Sequence, residues 1–102
     1  HTEAFNHGIC TQVGKSIYLP DASTAFHVFT LEWDEGEWRS YVDGKKYFSY
    51  KNNGTGSAAW PYDQPFHLFL NLAIGGGLGG QKGIDNALFP HVFEIDYVRV
   101  YQ

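Results

Sequence analysis

Apolar and polar residues alternate with a period of two along most of this chain, and no stretch carries the wider stripe of an amphipathic helix. His1, Glu3, Phe5 and His7 fall on one face of a predicted strand, with Thr2, Ala4 and Asn6 on the other. Phe26 to Trp33 and Glu37 to Val42 predict two more strands, joined across Asp34-Glu35-Gly36. Asp43-Gly44 then reads as a tight hairpin turn into a strand from Lys45 to Tyr50, completing a three-strand meander. After a loop from Asn52 to Pro65 that carries Trp60 and Tyr62, the most apolar strand is predicted at Phe66 to Ile74. Phe66, Leu68, Leu70 and Leu72 form one of its faces, and Asn71 is a polar exception on the other. A glycine-dense loop, Gly75 to Gly83, precedes a terminal strand from about Val92.

These elements predict an all-β chain, an antiparallel β-sandwich forming a single domain over residues 1–102, here incomplete. His1 begins in mid-pattern and Gln102 ends a strand, so the chain reads as the back portion of a longer unit. Composition agrees with short aromatic strands and glycine turns: 18% aromatic, 12 Gly and no Met in 102 residues. A sandwich of this size buries only about two-thirds of its unfolded surface, which leaves it marginal alone.

Charge and cysteine usage narrow the functional classes. A formal net charge of −4, with Lys45-Lys46 the only adjacent basic pair, argues against a nucleic-acid partner. No apolar run approaches a membrane span. The single Cys10 rules out an internal disulfide framework and reads as a small half-buried residue rather than a nucleophile.

Four patterns imitate chemistry. Gly75-Gly76-Gly77-Leu78-Gly79-Gly80 spells a dinucleotide fingerprint, but Gln81 to Pro90 holds Gly83 and Pro90 and predicts no helix to receive a phosphate. His1, Glu3 and His7 share a face, yet a strand would hold His1 and His7 roughly 20 Å apart, too far for one ion. Glu32-Trp33-Asp34-Glu35-Gly36-Glu37 packs four carboxylates around a turn and reads as a solvated acidic bend. Glu94-Ile95-Asp96 places two carboxylates on one strand face, but Val98, Arg99 and Val100 stand where a proton donor is needed, so it is no glycosidase pair.

Trp60-Pro61-Tyr62-Asp63-Gln64-Pro65-Phe66, then Leu70-Asn71-Leu72-Ala73-Ile74-Gly75-Gly76, then Ile95-Asp96-Tyr97-Val98-Arg99-Val100-Tyr101 resemble, in this order, glycoside hydrolase family 16. The likeness is strongest to its laminarinases, endo-acting β-1,3-glucanases. His1-Thr2-Glu3-Ala4-Phe5-Asn6-His7 and the segment from Phe26 to Gly44 fit the same family. The resemblance implies a concanavalin-like β-jelly-roll with a glucan cleft across its concave face. It also implies a retaining mechanism run by an E-x-D-x-x-E strand lying before the segment that starts at His1 and absent here.

On this resemblance the chain supplies no catalytic residue and is expected to be inactive alone, needing the N-terminal part of the same domain. His1, Glu3 and Phe5 are expected to line the cleft, with Asn71 offering its amide to glucose hydroxyls. For Trp60, sugar stacking and a loop anchor both fit. Asp96 is expected to ligate a structural Ca2+ completed by residues outside the chain. Leu78 stands where the family often has tryptophan, which weakens one distal sugar contact. The implied partner is a β-1,3-glucan or related polysaccharide, and the implied location is secreted or extracellular. The rival reading is a non-catalytic β-glucan-binding module.

Overall fold

The computed structural model describes residues 1–102, which divide into two compact units, His1–Phe66 and His67–Gln102. The first is built on the predicted meander: β1 (Phe29–Trp33), β2 (Glu37–Val42) and β3 (Lys45–Lys51), antiparallel in the order β1-β2-β3. Asp43 and Gly44 connect β2 to β3 with φ of 48° and 76°. Two successive left-handed residues form the primed turn whose twist matches the flanking strands, and aspartate followed by glycine tolerates it best. The β2–β3 register slips between Ser40, opposite Phe48, and Tyr41, opposite Lys46, so Tyr47 bulges from β3.

β1 starts at Phe29, three residues later than the apolar run suggests. The reason is local. The Asp43 carboxylate accepts the Val28 N–H at 2.9 Å, and the Asp43 N–H donates to the Val28 carbonyl at 2.9 Å. These bonds satisfy the backbone before a ladder can form.

Residues 1–7 also depart from the strand pattern. They bend, and a 3-10 turn follows at His7–Ile9. Asn6 causes this. Its Nδ2 donates to the carbonyls of Thr2 (3.2 Å) and Glu3 (2.9 Å), while its Oδ1 accepts the Gly8 N–H at 2.9 Å. Side-chain bonds of this kind compete with a ladder and favour turns. The imidazoles of His1 and His7 consequently lie 4.4 Å apart, centre to centre, and not at the strand-length separation.

One face of the sheet carries the core of this unit. Trp38, Tyr50, Trp60, Tyr62, Phe5 and Phe66 form a continuous chain of ring contacts, from 4.7 Å for Trp38–Tyr62 to 6.1 Å for Phe5–Tyr50. Val42, Ala59 and Trp60 are its buried residues. The Ala4 N–H donates to the Ala58 carbonyl at 2.8 Å, tying the N-terminal bend to the loop after β3.

The predicted strands at Phe66 to Ile74, which lies in the second unit from His67 on, and from Val92 do not form ladders. Their apolar side chains, Leu68, Leu70, Leu72, Val92 and Val100 among them, are exposed. Alternation encodes a strand's faces, but a strand exists only when a neighbour accepts its hydrogen bonds, and no segment of this chain does so here. The antiparallel sheet is therefore present, and a second sheet to close a sandwich is not. The glycine run holds one helical turn, α1 (Gly76–Gly79), capped by Gly75 at φ 78°. A single turn gathers too little dipole and too few N–H groups for a phosphate site. No helix is long and apolar enough to cross a membrane.

Candidate functional site

Alternation puts Glu37, Arg39 and Tyr41 on the face of β2 opposite Trp38 and Val42, and the register sets Glu32 of β1 directly across from Arg39. Arg39 collects three carboxylates. Its Nε donates to Glu32 at 3.1 Å, one terminal nitrogen to Glu37 at 3.0 Å and the other to Asp34 at 3.0 Å. The Tyr41 hydroxyl donates to the same Glu32 oxygen at 2.8 Å. Asp34 additionally accepts the N–H groups of Gly36 and Glu37, which shapes the β1–β2 turn.

The electrostatic consequences follow. Hydrogen bonds from Tyr41 and then Arg39 hold Glu32 below the usual carboxylate range. The Gly36 N–H, then Arg39, do so for Asp34, and Arg39 does so for Glu37. The three acids in turn raise Arg39 further above its already high value, and the Glu32 carboxylate pushes the Tyr41 hydroxyl up. All these groups favour their charged or hydrogen-bonded resting forms.

This network corrects the reading of Glu32–Glu37 as a merely solvated bend. The segment also spells E-x-D-x-x-E, the lettering expected only on an absent strand. Here the letters straddle a turn between two strands, and all three acids are spent on one guanidinium. A retaining hydrolase needs one carboxyl that keeps a proton, and none of these does. The pattern is structural.

The predicted site residues fall into two groups. In the first unit His1 and Glu3 are exposed, Phe5 is half-buried, and Trp60 is 4% exposed. Phe5 and Trp60 meet at Tyr50, with ring separations of 6.1 and 5.5 Å. Burial, with ring contacts to Tyr50 and Tyr62, leaves Trp60 little surface for a sugar and supports the anchoring alternative. Asn71 and Asp96, in the second unit, are exposed. No three His, Cys, Asp or Glu side chains gather as metal ligands. Asp96 is the kind of hard oxygen donor Ca2+ prefers, but an ion taking six to eight oxygens is not held by these residues alone. Cys10 is exposed rather than half-buried, in a left-handed position closing the 3-10 turn.

A shallow, open depression lies beside Trp60, edged by Glu35, Asn52, Gly54, Gly56, Ser57 and Asp63. Asn52 organises it. Its Nδ2 donates to the Glu35 carbonyl at 3.0 Å and its Oδ1 accepts the Gly54 N–H at 2.9 Å. The Trp60 Nε1 is buried without an acceptor. The lining of the depression is polar, the amide of Asn52, the hydroxyl of Ser57, the Asp63 and Glu35 carboxylates and glycine backbone, with Trp60 buried beneath it. Arg39, Tyr41 and Asn52 were not singled out from sequence. The available clue for Arg39 was the recurrence of opposite charge at Glu37 and Arg39 on one strand face.

Residues 1–99 match glycosyl hydrolases family 16. The chain is 48% identical, over its whole length, to a beta-glucanase of Rhodothermus marinus, of which it covers 37%. It is 34% identical to glucan endo-1,3-beta-glucosidase A1 of Niallia circulans, with 87% of this chain and 14% of that protein aligned. The X-ray structure of the laminarinase from Rhodothermus marinus superposes with a TM-score of 0.81 at 45% identity, covering 88% of this chain and 38% of the other. The chain thus spans well under half the length of these relatives. Ordered motifs, ladder and superposition agree, and the chain belongs to glycosyl hydrolases family 16.

Proposed function

We propose that this chain is the C-terminal part of a retaining endo-β-1,3-glucanase domain, a jelly-roll sandwich that hydrolyses internal bonds of laminarin-type glucans. The observation that carries the reading is the 48% identity to a beta-glucanase along the entire chain. In this proposal the two catalytic glutamates lie upstream on an E-x-D-x-x-E strand, one attacking the anomeric carbon and the other protonating the leaving oxygen. His1, Glu3, Phe5 and Asn71 serve as cleft residues that position the glucan, and Trp60 anchors the loop after β3. Asp96 contributes one carboxylate to a structural Ca2+ whose other oxygens come from elsewhere in the domain, and the protein works outside the cell.

The test is a chimera. This chain replaces the matching stretch of the Rhodothermus marinus beta-glucanase, and reducing ends released from laminarin are measured beside the isolated chain. Activity in the chimera with none in the isolated chain is the expected result. A folded chimera that binds laminarin without cutting it overturns the hydrolase reading in favour of a binding module.

A further inference from the structure

His27 stands between two carboxylates contributed by different parts of the first unit. Its Nδ1 is 2.7 Å from Asp43 Oδ2, in the β2–β3 turn, and its Nε2 is 3.3 Å from Asp21 Oδ1, in the turn at residues 20–24. The side chain is 11% exposed, and Nε2 is buried without a well-aligned hydrogen-bond partner. The charged groups facing the ring from these two elements are Asp21 and Asp43.

The two contacts are not equivalent. Asp43 is fixed, because its second oxygen accepts the Val28 N–H and its backbone N–H bonds the Val28 carbonyl. Asp21 belongs to a turn held by its own backbone bonds, Thr24 N–H and Ala25 N–H to the Asp21 carbonyl at 2.9 and 3.0 Å. A neutral imidazole keeps one N–H, and the shorter, better anchored partner selects it. That partner is Asp43.

We infer that Asp21, His27 and Asp43 form a proton-operated latch, in which the imidazolium holds both the 20–24 turn and the β2–β3 turn and the neutral ring holds only the latter. Loss of the Nε2 proton leaves a lone pair facing the Asp21 carboxylate, turning an attraction into a repulsion. The hydrogen bond to Asp43, ahead of the field of Asp21, raises the His27 pKa above its ordinary value and depresses that of Asp43. The latch is therefore closed at and below the ordinary histidine range, near 6.5, and opens as pH rises through the raised value.

The experiment is nitrogen-detected NMR of the His27 ring in the intact protein across pH, with amide exchange of Thr24 and Ala25 corrected for intrinsic rates. The expected result is a neutral ring protonated on Nδ1, with protection of both amides falling about threefold as Nε2 deprotonates, the size of a partly exposed ion pair. Asp21→Asn should lower the ring's midpoint and abolish that change in protection. A neutral ring protonated on Nε2, or wild-type protection that ignores the ring's titration, would overturn the latch, and both are read without any variant.

Discussion

The Trp60 indole lies 5.5 Å from the Tyr50 ring, centre to centre, fastening the loop after β3 back onto β3 itself. With Tyr62 in edge contact at 5.1 Å, Trp60 is the buried hub of the aromatic chain. Trp60→Ala should cost about 3–5 kcal/mol, the usual range for deleting a buried large aromatic. Trp60→Phe should cost well under half of that, because the Nε1 it removes has no partner to lose. Denaturant unfolding of the two variants measures the difference.

Arg39 is the sole counter-ion shared by Glu32, Asp34 and Glu37, which lie close together on one sheet face and its turn. Arg39→Met should lower the thermal midpoint, because three carboxylates are left facing one another. Arg39→Lys should recover only part of the loss, since an ammonium cannot serve three acceptors in the planar fork. Thermal unfolding at low and high salt checks this, with added salt narrowing the gap between Arg39→Met and wild type.

Acid should act on the same network. Glu32, Asp34, Glu37 and Asp43 all have lowered pKa values in the fold. Their contribution to stability is fully present above the ordinary carboxylate values near 4 and is lost as pH falls through the depressed folded values. His27 has the opposite sign, since its raised pKa contributes below about 6.5 and fades above. The expected profile, followed by near-ultraviolet circular dichroism, falls on both sides. Arg39→Met should flatten the acid limb and close its gap to wild type as pH falls, because without the guanidinium the three carboxylates lose no partner on protonation.

Gly80 tests the glycine run. A Cβ there would lie 2.7 Å from the Gly76 carbonyl oxygen and 3.3 Å from the Gly76 nitrogen, both backbone. Gly80→Ala should break the Gly80 N–H bond to Gly76 and open the α1 turn. Gly77→Ala, where a Cβ meets nothing within 4 Å, is the matched control. Amide exchange at residues 76–80 separates the two.

Asn71 tests the proposed cleft. In the active chimera, Asn71→Ala should reduce kcat/KM on laminarin about three- to tenfold, the value of one neutral hydrogen bond to substrate. An unchanged kcat/KM would remove Asn71 from the glucan contacts.

Local chemistry in the sequence determined the meander, its Asp43-Gly44 turn and the family. Alternation needs only neighbouring residues, a primed turn needs only two, and motif order survives without coordinates. Only the tertiary structure decided the rest. Phe66–Ile74 has a strand's alternation but no ladder, because pairing requires a second segment that alternation does not encode. Asn6 overrode the strand pattern at His1–His7 by bonding its own neighbours. Arg39 became the keystone of an acidic motif, and His27 the bridge between two turns, because β-pairing brings residues distant in sequence into contact. Trp60 became an anchor because it packs against Tyr50 and Tyr62 and is buried, and burial is a property of the packed chain.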